Sequence, residues 1–171
     1  FIGISTLGAV AVPLNSWGQA RELAFQLEDA GARAVFCDQQ RCDQLATHLA
    51  QSGMPAIVAR PSGATLPGDA RSLADFIACI DDTAFPEVEL EPEDPALMMY
   101  TSGTTGKPKG AVRGAGNAEQ SAALLQLIGY VPDDVYLTTG PLYHSGPGGF
   151  MAIAHALGNT VVVQKKFDAE D

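Results

Sequence analysis

The sequence predicts an α/β protein in which mainly parallel sheets are layered with helices. Short apolar runs that suit strands alternate with stretches in which apolar residues recur at helical spacing. Glycines stand where several of these helical stretches end. The composition, 46% hydrophobic and 18% charged, is typical of a globular chain and not of a disordered one.

The first half of the chain contains three helical segments and two strands. The first helix carries its apolar stripe at Ala20, Leu23, Ala24 and Leu27 and is expected to stop at Gly31. Residues 34–37 then form a short buried strand. The second stripe is Cys42, Leu45, Ala46 and Leu49, ending near Gly53, and the next strand covers residues 56–59. Residues 60–72 are predicted to be loop, and a short helix runs from Ser72 to Ile80.

The second half begins after an acidic segment. Residues 81–94 contain seven Asp or Glu residues and no Lys or Arg, which is typical of a solvated connector. We therefore divide the chain into a first α/β sub-region (1–80), a connector (81–95) and a second α/β sub-region (96–171). Strands are predicted at residues 96–99, 111–112, 135–138 and 160–163. One helix is expected after the N-cap Asn117, and another carries Phe150, Ile153, Ala154 and Leu157 and closes at Gly158.

Bulk properties limit the function. A net charge of −10 argues against a broad nucleic-acid-binding surface. The three cysteines form neither an even disulfide framework nor a paired metal-binding motif, so we expect buried structural thiols in a reducing cytoplasm. His48 and His155 fall on predicted helices and are expected to be surface residues without partners. No integral membrane segment is predicted, which leaves peripheral contact with a membrane open. The ends of the chain suggest an internal fragment of a longer protein.

Residues 100–110 read Tyr-Thr-Ser-Gly-Thr-Thr-Gly-Lys-Pro-Lys-Gly and predict a loop that holds a polyphosphate. Hydroxyls and successive backbone N–H groups donate to phosphate oxygens, glycine permits close approach, and two lysines add positive charge. The motif is not a Walker loop, because Thr101 stands where that pattern needs its first glycine and Pro108 follows Lys107. We therefore expect this chain to handle a nucleoside triphosphate.

This motif resembles the phosphate loop of the adenylate-forming superfamily, which includes acyl-CoA synthetases and the adenylation domains of peptide synthetases. Three further landmarks are similar to that family: residues 8–15, which end in Pro-Leu-Asn; residues 141–144, Pro-Leu-Tyr-His; and Phe167-Asp168. The resemblance implies that the chain is part of the large N-terminal domain of such an enzyme. One departure is that Arg113 and Gly114 precede Asn117 without the Thr/Ser-His pair that many relatives carry.

The resemblance also implies a set of site residues. The β- and γ-phosphates of ATP would be held by Thr101, Ser102, Gly103, Thr104, Thr105 and Gly106, assisted by Lys107 and Lys109. Lys107 and His144 are the expected catalytic residues, with His144 at the wall of the active site. Tyr143, Gly146 and Phe150 are candidates for the acyl pocket, although core packing would explain the two aromatic residues equally well. No protein-held metal site is predicted.

The implied function is that of an ATP-dependent carboxylate–CoA ligase that activates a fatty or aryl acid as an acyl-adenylate. ATP, Mg²⁺ and coenzyme A are the implied cofactors and substrates, and the chain alone is expected to be inactive. Two alternatives stay open, a peptide-synthetase adenylation domain and a non-catalytic nucleotide-binding module. A hydrolase is disfavoured because Ser145 lies in Tyr-His-Ser-Gly-Pro and not in a nucleophile elbow.

Overall fold

The computed structural model describes residues 1–63, 65–81, 84, 86–91, 93–101, 109–113, 123 and 125–164. The helices are α1 (Ile2–Thr6), α2 (Ala20–Asp29), α3 (Gln39–Gln44), α4 (Ala46–Ser52), α5 (Leu73–Ala78) and α6 (Ser145–Ala156). The strands are β1 (Val35–Cys37), β2 (Ala56–Val58), β3 (Arg71–Ser72), β4 (Leu97–Thr101), β5 (Lys109–Arg113), β6 (Val135–Thr138) and β7 (Thr160–Val163). Residues 125–128 are also helical.

The chain forms two compact units. The first unit is Leu14–Val88, and the second unit combines Phe1–Pro13 with Glu89–Asp171. The sub-region boundaries drawn from the sequence, at 80/81 and 95/96, stay a prediction. The compact units differ from them in grouping the first 13 residues with the phosphate-loop region.

The first unit is a three-stranded parallel sheet, in the order β1-β2-β3, packed against helices. Its core consists of buried residues from α2, from the α3–α4 segment and from β2: Leu23, Leu27, Cys42, Leu45, Leu49, Ala56 and Val58. The predicted apolar stripes therefore face a common core, except that Ala20 is exposed. The glycine stops are also confirmed, since Gly31 and Gly53 have φ of 61° and 64°, values that side-chain-bearing residues rarely adopt.

Three details of the first unit differ from expectation. The predicted single helix over residues 42–49 is two helices, because the backbone at Leu45 has ψ of 0° and departs from helical geometry. The predicted loop 60–72 contains β3, whose pairing with β2 is non-local and leaves no strong sequence signal. The predicted buried strand at 34–37 exposes Phe36 by 57%, because successive side chains of β1 point to opposite faces of the sheet and Val35 and Cys37 are the ones that face the core.

The second unit contains two two-stranded sheets. Strands β6 and β7 are parallel, and α6 packs against both, as in a strand–helix–strand unit. Strands β4 and β5 form an antiparallel hairpin. The predicted strands and the helix closed by Gly158 are confirmed, whereas the Asn117 cap lies outside the described residues. Of the early family strand, only Ala11 pairs, in a single parallel bridge with Leu97.

The α/β class with mainly parallel strands is thus confirmed, and the β4–β5 hairpin is the antiparallel exception. In the part of the chain that the structure describes, no helix is long and apolar enough to cross a membrane.

Candidate nucleotide site

The ends of the predicted phosphate loop are held together by the β4–β5 hairpin. The register pairs Thr101 with Lys109, so the two residues are direct cross-strand neighbours and their side chains lie on the same face. Both are exposed. Residues 102–108, which include the predicted phosphate contacts Ser102–Gly106 and Lys107, lie outside the described residues. The hairpin therefore places one hydroxyl and one ammonium group at the two ends of this loop.

Gly110 lies on the opposite face of the hairpin, against the end of the Met98 side chain. It pairs with Tyr100, and a Cβ atom there would overlap the end of the Met98 side chain and come within 3.4 Å of the Tyr100 ring. These two side chains therefore close over the glycine. A side chain at position 110 would have to displace the end of the flexible Met98 side chain, whereas 3.4 Å from the Tyr100 ring is an ordinary contact.

The base of the hairpin is fixed by the N-terminal segment. The N–H of Ala11 donates to the carbonyl of Ala96, and the N–H of Met98 donates to the carbonyl of Ala11, both at 3.0 Å. Ala11 is only 3% exposed. Residues 8–15, the early family landmark, thus extend the hydrogen bonding of β4. This limits movement at the start of the strand that leads into the phosphate loop.

His144 lies in the turn that joins the carboxyl end of β6 to the first turn of α6. Its N–H donates to the carbonyl of Pro141, and its own carbonyl accepts from the N–H of Gly148, both at 3.0 Å. Its side chain makes no capping hydrogen bond to the helix and is exposed. The imidazole contacts the Tyr143 ring, with centroids 4.5 Å apart and planes tilted by 45°. The backbone of His144 is therefore held by two hydrogen bonds while its side chain is exposed.

Two glycines that the sequence analysis did not single out make this turn geometrically feasible. A Cβ atom at Gly148 would overlap the carbonyl oxygen of Leu142, and one at Gly140 would lie 2.8 Å from Cγ of Pro147. Gly146 differs, because a Cβ atom there would meet nothing within 4 Å. The high density of glycine in residues 140–149 is a sequence signal for a tightly packed turn. Only the structure shows which of these glycines has no room for a side chain and which has room.

The candidate acyl-pocket residues surround the same turn. Tyr143 and Gly146 are half-buried, and Phe150 is 37% exposed. The sequence analysis also missed Tyr130, whose hydroxyl donates to the carbonyl of Phe150 at 3.1 Å. Burial raises the pKa of Tyr130, and the nearby Tyr136, with its ring centroid 6.1 Å away, adds to the effect. Tyr130 thus keeps its proton and ties the preceding segment to α6.

The structure therefore brings the predicted residues together in two groups. Thr101 and Lys109 lie side by side on the β4–β5 hairpin, and Tyr143, His144, Gly146 and Phe150 lie at the start of α6. The two groups belong to separate sheets of the second unit. Among the described residues, no cluster of three or more His, Cys, Asp or Glu side chains could hold a metal ion.

Comparison with known proteins identifies the family. The model of the AMP-binding enzyme family matches residues 1–171. The chain belongs to this family. The long-chain-fatty-acid–CoA ligase FadD13 of Mycobacterium tuberculosis is 32% identical over 172 residues, covering 99% of this chain and 32% of that protein. This chain thus spans about a third of the length of that curated relative.

Solved structures of relatives show the same fold. ATP-bound MatB from Rhodopseudomonas palustris is 32% identical with a TM-score of 0.76, over 98% of this chain and 32% of that one. The inhibitor-bound N-terminal domain of FACL13 from Mycobacterium tuberculosis is 29% identical with a TM-score of 0.76, over 98% of this chain and 40% of that one. These matches confirm the resemblance to adenylate-forming enzymes and the assignment of the fold to their N-terminal domain.

Proposed function

We propose that this chain supplies the triphosphate-binding part of an ATP-dependent carboxylate–CoA ligase. The enzyme would activate a fatty or aryl acid as an acyl-adenylate and transfer the acyl group to coenzyme A. The observation that carries the proposal is the family's phosphate-loop sequence, placed between the paired residues Thr101 and Lys109 of a hairpin. Similarity to a CoA ligase and to an ATP-bound structure supports it.

In the first half-reaction, a carboxylate oxygen of the acid attacks the α-phosphorus of ATP. The bond from that phosphorus to the bridging oxygen breaks, and pyrophosphate leaves with the electron pair. The protein lowers the barrier mainly by orienting the two reactants and by neutralising charge on the leaving group. Thr101, Lys107 and Lys109 are suited to this because they supply a hydroxyl donor and two ammonium groups.

The rest of the loop would hold the β- and γ-phosphates through the hydroxyls of Ser102, Thr104 and Thr105 and through the backbone N–H groups of Gly103 and Gly106. Mg²⁺ would reach the site bound to ATP. The ion would be held chiefly by phosphate oxygens and water.

The turn before α6 would serve the acyl group. The α-phosphorus becomes trigonal bipyramidal as the carboxylate attacks, with the attacking and leaving oxygens at its two apices, so the acid must be held in line with the leaving oxygen. His144, with its hydrogen-bonded backbone and exposed side chain, is suited to orient the carboxylate or to respond to closure of the phosphate loop. Tyr143, Gly146 and Phe150 would line the space for the acid. In the second half-reaction the thiol of coenzyme A attacks the acyl carbonyl carbon, and AMP leaves.

The proposal is tested with the complete open reading frame that encodes this chain. Exchange of labelled pyrophosphate into ATP, measured with a panel of fatty, aryl and amino acids, reports adenylation. We expect exchange with a fatty or aryl acid, followed by thioester formation when coenzyme A is added. Exchange with amino acids and transfer only to a carrier-protein thiol would instead indicate a peptide-synthetase adenylation domain. ATP binding without exchange for any acid would indicate a non-catalytic nucleotide-binding module.

A further inference from the structure

Tyr130 lies where three elements of the second unit meet. Residues 125–128 are helical, and this short helix ends at Gly129, whose φ is 79°. The backbone N–H groups of Gly129 and Tyr130 both donate to the carbonyl of Leu125, at 3.0 and 3.3 Å. The Tyr130 backbone is therefore held at a helix end, in the part of the chain that leads from β5 to β6.

The side chain of Tyr130 connects this segment to β6 and to α6. Its ring centroid lies 6.1 Å from that of Tyr136 in β6. Its hydroxyl donates to the carbonyl of Phe150 in α6 at 3.1 Å. Because burial raises the pKa of Tyr130, the hydroxyl keeps the proton that this hydrogen bond needs. Tyr130 therefore ties the middle of α6 to the segment before β6.

The first half of α6 depends on such a tie because packing holds it weakly. Of the 12 residues of α6, Ala154 is the only buried one, and it lies in the second half of the helix. Phe150 is 37% exposed, so its ring is not enclosed in a core. A hydrogen bond to the backbone of Phe150 therefore contributes directly to where that ring lies.

We propose that Tyr130 is a positioning residue that determines which acids the enzyme accepts. By holding the Phe150 carbonyl, it holds the Phe150 ring against the acyl group of the bound acid. This inference rests on the proposed ligase function and on the assignment of Phe150 to the acyl pocket. Because Tyr130 acts through Phe150 and not on the reacting atoms, its loss should raise KM for the acid and leave kcat unchanged.

The test is Tyr130→Phe in the complete enzyme, assayed by exchange of labelled pyrophosphate into ATP. The acids are acetate, hexanoate, decanoate, benzoate and phenylacetate. The reference acid is the one that the wild-type enzyme uses with the highest kcat/KM. We expect KM for the reference acid to rise about three- to tenfold, as for the loss of one hydrogen bond. KM for ATP should not change, and KM for the smallest acid that the wild-type enzyme activates should change least.

A merely structural role for the Tyr130 hydroxyl gives a different pattern. General loosening of the fold would raise KM for ATP and for all acids alike, or would lower kcat. Either of those results, or an unchanged KM for the reference acid, would overturn the inference. It would also fail if acetate were the reference acid, because acetate has only a methyl group to contact the Phe150 ring.

Tyr136→Phe is the matched control for the loss of a hydroxyl. It alters the other ring of the same aromatic pair, and the Tyr136 hydroxyl makes no hydrogen bond within the described residues. KM for the reference acid should therefore stay at the wild-type value. A rise equal to that in Tyr130→Phe would contradict a specific role for the bond to Phe150.

Phe150→Ala tests whether Tyr130 acts through the Phe150 ring. In this background, Tyr130→Phe should have no further effect on KM for the reference acid, because the two residues are coupled. The same rise in KM in both backgrounds would contradict action through Phe150.

The same assay separates failure of this inference from failure of the proposed function. If the wild-type enzyme shows no exchange with fatty or aryl acids, the proposed ligase function is wrong and this inference falls with it. If exchange occurs and Tyr130→Phe leaves it unaltered, only the role of Tyr130 is wrong.

Discussion

Replacing Gly148 by alanine should destabilise the turn that carries His144. A Cβ atom at position 148 would overlap the carbonyl oxygen of Leu142, which belongs to the backbone and cannot rotate away. Gly146 lies in the same first turn of α6, and a Cβ atom there meets nothing within 4 Å. The two variants thus add the same methyl group to the same helix in different surroundings.

The expected magnitudes follow from these surroundings. Alanine is favoured over glycine inside a helix by about 1 kcal/mol, so Gly146→Ala should be neutral or stabilising. At Gly148 the same gain is opposed by overpacking, which costs about 1–3 kcal/mol and more when a backbone atom must move. We expect the variants to differ by about 2 kcal/mol in the free energy of unfolding. For a chain of this size that corresponds to roughly 4–8 °C in Tm.

The assay is thermal unfolding of both variants, followed by circular dichroism under identical conditions. A second readout is the NMR signal of the His144 ring, which should shift in Gly148→Ala and stay in place in Gly146→Ala. Equal Tm values for the two variants would refute the argument that Gly148 is required by close backbone approach.

Three further predictions concern other parts of the chain. In the complete enzyme, Lys107→Ala should slow pyrophosphate exchange by about ten- to a thousandfold, as for the loss of one preorganised donor; unchanged exchange would remove Lys107 from the site. Burial raises the pKa of the Cys37 thiol from 9.0 to about 12 and also raises that of Cys42, so at pH 8 iodoacetamide should modify the exposed Cys79 first. Because the pKa of Cys37 is higher in the folded chain than in the unfolded chain, its contribution to stability is complete below pH 9 and is lost as the pH rises towards 12. Equal modification rates for Cys79 and the other two cysteines would contradict the burial of Cys37 and Cys42. Asp38→Ala removes the side chain that caps α3 through a 2.9 Å hydrogen bond, and it should lower stability by about 0.5–2 kcal/mol in urea unfolding, whereas Asp38→Asn should lose less.

Local signals in the sequence were sufficient to predict most elements. Gly53 and Gly158 mark helix ends because their φ angles of 64° and 76° are accessible to glycine at little cost. Ser72 begins α5 because its hydroxyl accepts from the N–H of Asp75. These features depend on neighbouring residues alone, so the sequence contains them directly.

Burial depends on packing between distant segments, and here the sequence was a weaker guide. Cys42 is buried as expected, but Cys79 is exposed, because no other element covers the end of α5 at that residue in the described structure. His48 was expected at the surface without a partner, but its side chain is nine-tenths buried and its Nδ1 lies 3.4 Å from Oε1 of Glu28, a residue 20 positions away. Such neighbours are set by the tertiary fold.

The sequence likewise predicted some features of the candidate site and not others. The sequence alone indicated the residue types of the phosphate loop. It also indicated that His144 lies between a strand and a helix. The pairing of Thr101 with Lys109 and the need for Gly148 were not, because both depend on backbone register and close approach. The roles assigned to individual site residues stay predictions.

The central claim is that the loop between β4 and β5 holds the terminal phosphates of ATP. The most direct measurement is calorimetric binding of ATP, AMP and inorganic tripolyphosphate to this chain in the presence of Mg²⁺. We predict that ATP and tripolyphosphate compete for one site and that AMP binds at least about tenfold more weakly, because it lacks the phosphates that the loop contacts. Equal binding of AMP and ATP, or no competition by tripolyphosphate, would contradict the claim.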